Sequence, residues 1–215
     1  MKALLIGATG ATGHDLLELL LQNDDYQQVD VFVRRDLGIK HDKLRTHIID
    51  FGKPEEWAHL VTGDVLFSCL GTTLKVAGSQ AQQRIVDYDY QLAFAKAAKA
   101  NAVNCYVLVS SSGASSQSRI FYSKMKGELE DAVKALQFSK LLIFNPPLLE
   151  RKNSDRKMEV LALKVFAFFN GLGLLGGMRP LATDLLAKAM LKAVQSLGQG
   201  QHIIKDQEIR NYTNG

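Results

Sequence analysis

A tyrosine and a lysine four residues apart, Tyr122 and Lys126, are the side chains of this sequence best suited to proton transfer. Apolar spacing predicts a helix from Phe121 to Leu136, and residues four apart share one face of a helix. An ammonium group beside a phenol favours the phenolate, so we expect Lys126 to lower the pKa of Tyr122. A phenol tuned in this way can donate or accept a proton near neutral pH, as the reduction of a carbonyl group requires.

Three serines precede this pair, at the end of an apolar strand pattern: Ser110, Ser111 and Ser112, followed by Gly113. A hydroxyl group at a strand end can hold a substrate carbonyl and stabilise the negative charge that develops on its oxygen. We favour Ser111 for this role, but the sequence leaves the choice among the three serines open. A tyrosine and a lysine at helical spacing also occur as an ordinary surface pair, and the serine-bearing strand end favours the catalytic interpretation.

The chain opens with a strand pattern, a glycine turn and an apolar helix pattern, in that order. The strand pattern is Lys2–Ile6, and the turn that follows reads Gly-Ala-Thr-Gly-Ala-Thr-Gly. Gly7 permits the sharp turn, Gly10 lets the backbone approach a pyrophosphate, and Gly13 lets the helix pack close to the strand. A structural turn without a ligand is the alternative, which the strand-turn-helix order disfavours. The residues predicted to bind a dinucleotide here are Gly7, Thr9, Gly10, Ala11, Thr12 and Gly13.

Two arginines, Arg34 and Arg35, directly follow the second strand pattern, Val29–Val33. A carboxylate at this position binds the ribose 2′-hydroxyl group of NAD, whereas arginine accommodates the 2′-phosphate of NADP. The first carboxylate is Asp36, and a guanidinium group can hold a phosphate through two parallel hydrogen bonds. We therefore predict NADP(H) as the cofactor; the alternative is a solvated basic loop that continues to Arg45.

Strand and helix patterns continue to alternate along the chain. Strand patterns lie at Thr46–Asp50, Asp64–Leu70, Cys105–Val109 and Lys140–Phe144, and a helix pattern covers Ile85–Ala100. This alternation predicts an α/β fold, with a parallel sheet covered by helices on both faces. Ligands bind such sheets at the carboxyl ends of the strands. Further cofactor contacts are therefore expected at Asp50, Phe51, Leu70, Gly71 and Thr72.

The pattern changes after the sixth strand. Residues 148–182 are expected to form a small C-terminal substrate-covering region, a lid, within a single domain that spans residues 1–215. The stretch Leu161–Met178 is strongly apolar, but its charged residue, asparagine and glycines disfavour a membrane-spanning helix. A lid, or a contact in a homodimer, is the favoured role. A final helix is predicted over Thr183–Leu197, with Thr183 or Asp184 near its N-cap.

Composition indicates an ordinary globular protein. The chain has 215 residues, of which 47% are apolar and 22% charged, and a net charge of +4. This mild basicity neither requires nor excludes a polyanionic partner. Neither a nucleic-acid partner nor stable membrane insertion is expected. Cys69 and Cys105 lie in buried-strand patterns without metal-ligand spacing, so we expect reduced thiols, no metal and a cytoplasmic location.

The motifs together resemble those of the atypical short-chain dehydrogenase/reductases, close to the Tat-interacting-protein oxidoreductase and NmrA-like groups. The resemblance implies a Rossmann-like doubly wound sheet, NADP(H) as cofactor, and catalytic roles for Ser111, Tyr122 and Lys126. Tyr122 and Lys126 would also contact the cofactor. The matching pieces, in the expected order, are Gly7–Gly13, Val33–Arg35, Val109–Ala114, Tyr122–Glu128 and Met178–Pro180.

The chain departs from this family pattern at two places. Many relatives end the sixth strand in Arg-Pro-Gly, whereas this chain has Asn145, Pro146 and Pro147, of which Pro147 is expected to border the nicotinamide. Typical members carry an asparagine in the fourth helix that holds a proton-relay water, and this chain has Asp87 there. Both differences lie where the coenzyme and the proton relay would be.

Two classes of function remain. The first is an NADPH-dependent oxidoreductase that reduces a small carbonyl compound, favoured by the serine, Tyr122 and Lys126 beside a nucleotide turn. The alternative is an NADP(H)-sensing regulatory or protein-interaction module without turnover, as some NmrA-like relatives are interpreted. A sensor has no need of the tyrosine and lysine pair, so the enzyme is the leading hypothesis.

Overall fold

The computed structural model describes residues 1–150 and 179–213. The strands are β1 (Lys2–Ile6), β2 (Gln28–Val33), β3 (Leu44–Ile48), β4 (Val65–Ser68), β5 (Cys105–Val109), β6 (Lys140–Asn145), β7 (Leu149–Glu150), β8 (Leu181–Ala182) and β9 (Gly200–Lys205). The helices are α1 (Ala11–Gln22), α2 (Pro54–Trp57), α3 (Leu74–Ala77), α4 (Gln80–Arg84), α5 (Tyr90–Ala100), α6 (Phe121–Ala135), α7 (Thr183–Ser196) and α8 (Asp206–Asn211). A 3₁₀ turn covers Ala58–Leu60, and a π-helical turn covers Ile85–Asp89.

Seven parallel strands form the central sheet, in the order β3-β2-β1-β4-β5-β6-β9. The order reverses between β1 and β4, so the carboxyl ends of these two strands border the crevice in which such sheets bind ligands. This arrangement confirms the predicted Rossmann-like α/β fold. The short strands β7 and β8 pair with each other in a separate parallel ladder.

Each face of the sheet packs against two of the longer helices. On one face, α1 and α7 contribute leucines and alanines, among them Leu16, Leu20 and Leu186, to a core cluster with alternate residues of the strands. On the other face, α5 and α6 contribute Phe94 and Leu129 to a second cluster. Because both faces are covered, β1, β4 and β6 are apolar along nearly their whole length.

The sequence patterns located most elements, with differences at the edges of the sheet. The third strand begins and ends two residues before the predicted Thr46–Asp50, and β4 is shorter than the predicted Asp64–Leu70. Both β9 and α8 were missed. In β9 only Ile204 is buried, because this strand is at the edge of the sheet and lacks the apolar run that marks the inner strands.

The predicted helix over Ile85–Ala100 is interrupted near its start. The π-helical turn Ile85–Asp89 joins α4 to α5. A π-helical turn places one more residue in a helical turn than the α-helix, and such turns occur frequently at functional sites. Here the turn carries Asp87, which is buried.

Little of the predicted lid, residues 148–182, falls within the described residues. The ladder of β7 and β8 lies at its two ends, and the predicted stretch Leu161–Met178 lies outside the described residues. The helix that follows begins at Thr183 as predicted; its N-cap is Ala182, with Thr183 and Asp184 directly after it. Among the residues described, the helices are all too short or too polar to cross a bilayer.

Candidate functional site

The glycine turn after β1 is built on close backbone contacts. Gly7 has a φ of +86°, and a Cβ on this residue would lie 2.7 Å from the backbone nitrogen of Leu70 and closer still to Cys69. A Cβ on Gly13 would lie 2.7 Å from the Gly7 carbonyl carbon and closer to its oxygen. Side chains at these two positions would therefore push the turn away from β4, or α1 away from the turn.

The first turn of α1 is left open toward the carboxyl edge of the sheet. Its N-cap is Gly10, which is exposed and provides no side-chain cap, and Thr9 beside it is also exposed. Amide groups of the first helical turn lack partners within the helix and carry the positive end of its dipole. Together with Ala11 and the buried Thr12, the turn fits the pyrophosphate of a dinucleotide.

Arg34 and Arg35 follow directly on β2 and are exposed. The ion pairs formed by the described side chains do not involve either guanidinium group, so both are available to an anion. Asp50 is also exposed, two residues beyond β3, and its Oδ1 accepts a hydrogen bond from the Gly52 amide at 2.9 Å. This region therefore presents two free cations and one exposed carboxylate.

Phe51 differs from the other residues predicted to contact the cofactor, because its side chain belongs to the core. Its ring packs against Phe94 at 5.4 Å between centroids and against Tyr90 at 5.5 Å. A ligand at the edge of the sheet could meet its backbone but not the buried part of its ring.

The segment after β4 connects the nucleotide turn to the predicted catalytic residues. Leu70 is partly buried and Gly71 exposed, and the Thr72 amide donates a hydrogen bond to Oδ2 of Asp87 at 2.9 Å. A Cβ on Gly71 would lie 3.6 Å from the other carboxylate oxygen of Asp87. The Asp87 carboxylate therefore helps to fix the position of the segment after β4.

Lys126 and Asp87 form a buried ion pair. Lys126 Nζ lies 3.3 Å from Oδ1 of Asp87, and the two side chains are 3% and 1% exposed. The same Nζ is 6.0 Å from the ring centroid of Tyr122. Tyr122 is the second residue of α6 and is partly buried. Tyr122 and Lys126 thus share one helix face as predicted, but the nearest charge to the ammonium group is a carboxylate that spacing alone could not indicate.

The ion pair changes the predicted ionisation of Tyr122. Burial raises the pKa of Tyr122 above its ordinary value; Lys126 lowers it, and Asp87 raises it again. The predicted lowering of the Tyr122 pKa is therefore wrong, because burial and Asp87 together outweigh Lys126. Burial lowers the pKa of Lys126, but Tyr122 and Asp87 raise it to a net increase, so the ammonium form persists. Burial raises the pKa of Asp87, and Lys126 opposes that rise.

The three serines after β5 have different surroundings. Ser110 is buried and its hydroxyl donates to Oε1 of Glu130 at 2.6 Å. Ser111 Oγ is buried without a hydrogen bond of acceptable geometry, yet it lies near enough to the Tyr122 phenol to lower its pKa. The Ser112 amide donates to the Pro146 carbonyl at 2.9 Å. The Ser111 hydroxyl group is therefore placed to act with the Tyr122 phenol, whereas that of Ser110 is engaged by Glu130.

Two residues that were not among the predicted site residues, Asn145 and Glu130, hold this strand end in place. Asn145 Nδ2 donates to the Ser111 carbonyl at 3.0 Å and to Oε1 of Glu130 at 2.7 Å. Glu130 lies four residues after Lys126, so the helical spacing that joined Tyr122 to Lys126 could also have included it. Pro147, predicted to border the nicotinamide, is buried just beyond β6.

Comparison with known proteins supports the coenzyme interpretation of this edge. A family described as NAD(P)H-binding matches residues 7–142. Protein HTATIP2 of Rattus norvegicus is 36% identical over 202 residues, which cover 92% of this chain and 82% of that protein. Protein FMP52-1, mitochondrial, of Scheffersomyces stipitis is 31% identical over 222 residues, which cover 99% of this chain and 97% of that protein.

Solved structures share the fold at low sequence identity. A short chain dehydrogenase from Burkholderia cenocepacia in complex with NADP has a TM-score of 0.68 and 17% identity, covering 98% of this chain and 91% of that one. The Bordetella bronchiseptica enzyme WbmH in complex with NAD⁺ has a TM-score of 0.71 and 16% identity, covering 95% and 74%. These neighbours bind different coenzymes, so they leave NADP and NAD undistinguished for this chain.

The relatives contradict the cytoplasmic location expected from the sequence. FMP52-1 of Scheffersomyces stipitis and FMP52 of Saccharomyces cerevisiae are both named as mitochondrial proteins, so the names of these relatives speak against the cytoplasmic expectation. Cys69 and Cys105 are free thiols as expected, but free thiols do not separate the cytoplasm from a mitochondrial compartment that keeps them reduced. By its matched residues and its relatives, the chain belongs to the NAD(P)H-binding family, within the atypical short-chain dehydrogenase/reductases related to Protein HTATIP2.

Proposed function

We propose that the protein is an NADPH-dependent reductase of a small carbonyl compound. The observation that carries this proposal is the grouping of Ser111, Tyr122 and Lys126 at the carboxyl edge of the sheet, with Lys126 buried and charged beside the phenol. A buried ammonium group next to a phenol has a clear use in proton transfer, whereas a surface pair would leave both groups in water.

Different residues at the edge of the sheet would bind different parts of the coenzyme. The Gly10 turn and the first amides of α1 would hold the pyrophosphate, and Arg34 and Arg35 would hold the 2′-phosphate. Asp50 and the segment from Leu70 to Thr72 would border the adenosine and its ribose. When bound, NADPH would supply the hydride that adds to the carbonyl carbon, leaving as NADP⁺.

The remaining steps belong to the side chains of this chain. The Ser111 hydroxyl donates a hydrogen bond to the carbonyl oxygen and stabilises its developing negative charge. As the carbonyl π bond opens, the Tyr122 phenol gives its proton to that oxygen, so that the product is an alcohol. Lys126 stabilises the resulting phenolate, which recovers a proton from solvent. One hydride and one proton are thus added to each carbonyl group.

A second candidate is an NADP(H)-sensing module without turnover, and the Asp87 carboxylate is the observation in its favour. Asp87 already pairs with the ammonium group of Lys126 and raises the pKa of the phenol. A site with a weak acid and an internally neutralised lysine could bind the coenzyme without reducing a substrate. Turnover separates the two candidates.

The test combines coenzyme binding with turnover in matched variants. We expect the purified protein to bind NADPH more tightly than NADH, and Arg34→Ala to reduce that preference. We expect NADPH oxidation with some members of a panel of aldehydes and ketones, and a loss of about 100-fold or more in Tyr122→Phe because proton donation is removed. Tyr88→Phe is the control, since Tyr88 contacts Arg84 through its ring.

Two results would contradict the proposal. Binding of NADPH without turnover of any carbonyl, with Tyr122→Phe equal to wild type, would leave only the sensing module. A preference for NADH over NADPH would contradict the role given to Arg34 and Arg35.

A further inference from the structure

We infer that Asp87 is a positioning residue: it is the internal counter-ion of Lys126 and keeps Tyr122 in its protonated, proton-donating form into the alkaline pH range. This inference rests on the proposed reductase activity, in which Tyr122 donates a proton to the carbonyl oxygen. Its physical content concerns only the ionisation of one phenol, which can be measured without coenzyme or substrate.

The structure holds the Asp87 carboxylate in one place. Oδ2 accepts the Thr72 amide at 2.9 Å, which leaves Oδ1 to face Lys126 Nζ at 3.3 Å. Below it, Gln91 Nε2 donates to the backbone carbonyl of Asp87 at 2.8 Å. Ser68 in turn donates to the Gln91 side-chain oxygen, also at 2.8 Å. The Thr72 amide therefore fixes the carboxylate, and the hydrogen bonds through Gln91 to Ser68 of β4 fix the Asp87 backbone.

Oδ1 of Asp87 has no hydrogen bond of its own, although it is buried. A buried carboxylate oxygen without a hydrogen bond is costly unless a positive charge compensates it. The compensating charge is Lys126, at a distance where two unit charges interact strongly in a medium of low polarity. Asp87 and Lys126 have opposite effects on the Tyr122 pKa, so the pair lowers it less than Lys126 alone would.

The charged groups around Lys126 come from two elements. Asp87 comes from the π-helical turn, while Tyr122 and Glu130 are on α6 with Lys126 itself. Glu130 is further engaged by Ser110 and Asn145, and its other oxygen lies 3.6 Å from Lys134. Asp87 is therefore the carboxylate whose Oδ1 faces Lys126, while its Oδ2 accepts the Thr72 amide.

The consequence for chemistry concerns the pH range of proton donation. A phenol can give its proton to a carbonyl oxygen only while it is protonated, so reduction declines above its pKa. With an uncompensated lysine beside it, Tyr122 would ionise at lower pH. With Asp87 in place, burial and the carboxylate keep the phenol protonated. An asparagine at this position would hold Thr72 but would leave Lys126 uncompensated.

The decisive experiment is a spectroscopic titration of the phenol in the protein without coenzyme. The tyrosinate absorbance of wild type minus that of Tyr122→Phe reports Tyr122 alone, and the same difference is taken in the Asp87→Asn background. We expect Tyr122 to be less than half ionised at pH 10, its ordinary value, and Asp87→Asn to lower its midpoint by about one pH unit or more. Glu128→Gln is the control, because it removes a carboxylate from the same helix that pairs with Arg84 instead.

Two results of this titration would overturn the inference. An unchanged Tyr122 midpoint in Asp87→Asn overturns it, and so does a wild-type midpoint below pH 10. If Asp87→Asn does not fold, Asp87→Ala takes its place in the same comparison, because burial alone also raises the wild-type midpoint. The alkaline limb of carbonyl reduction should shift in the same direction as the midpoint. A shifted titration in a protein that reduces no carbonyl would support the counter-ion role while rejecting the proposed reductase.

Discussion

Replacing Gly13 by alanine tests the packing on which the nucleotide turn depends. A Cβ at this position would lie 2.7 Å from the carbonyl carbon of Gly7, 3.1 Å from the nitrogen of Ala8, and closer still to the Gly7 oxygen. All of these are backbone atoms, which cannot move aside by changing a rotamer. Relief requires a displacement of α1 from β1 by about 1 Å, in a close-packed region.

The expected magnitude follows from two opposing effects. Alanine stabilises a helix relative to glycine by about 1 kcal/mol. Overpacking of a close-packed region costs about 1–3 kcal/mol, and rigid neighbours favour the upper end. The net loss of unfolding free energy is therefore about 2 kcal/mol, which lowers Tm by roughly 4–8 °C in a chain of this size. Displaced first-turn amides should also weaken NADPH binding by about tenfold or more.

The assay compares urea unfolding and NADPH affinity in Gly13→Ala and Gly198→Ala. Gly198 has no atom within 4 Å of a built Cβ, so its substitution should change the unfolding free energy by less than about 0.5 kcal/mol. If Gly13→Ala unfolds at the same urea concentration as this control and binds NADPH equally well, the steric reasoning is wrong.

Three further predictions concern buried polar groups. Ser110→Ala should lower the unfolding free energy by about 1–3 kcal/mol in urea, because Glu130 loses a buried donor. Ser111→Ala should leave that free energy nearly unchanged and lower kcat by about 100-fold. Burial raises the pKa of Asp30, but hydrogen bonds and the Lys2 ammonium outweigh it and hold the pKa below 3.8. The stabilisation that the Asp30 carboxylate gives the folded state is therefore fully present above pH 3.8 and is lost as pH falls through the pKa of the folded state. Asp30→Asn should therefore lose less stability in acid than wild type, as measured by urea midpoints.

The fold was largely predictable because its inner strands are buried on both faces. Runs such as Ala3–Ile6 and Leu141–Phe144 can hardly be anything but buried strands between helices. The edge strands were harder to identify for the same physical reason. Ile48 and Ile203 are exposed, so no continuous apolar run marks β3 or β9.

The candidate site was predictable where spacing within one element sufficed. Tyr122 and Lys126 share a face because they share a helix, whereas the contact of Lys126 with Asp87 joins two elements 39 positions apart in the printed numbering. The sign of the Tyr122 pKa depends on that contact and on burial, so a helical pair alone gave the wrong direction. The distinction between Ser110 and Ser111 likewise depends on Glu130, from another element.

The π-helical turn Ile85–Asp89 makes chain length, as well as residue type, a determinant of this site. Each residue of an α-helix turns the chain by about 100°, so deleting one position from the turn would rotate everything before it relative to Tyr90–Ala100. The Asp87 carboxylate would then be moved away from Lys126, although no functional side chain had been replaced. Alignments that count only identical letters would miss such a change, and the spacing between this turn and the following helix is the quantity to compare among relatives.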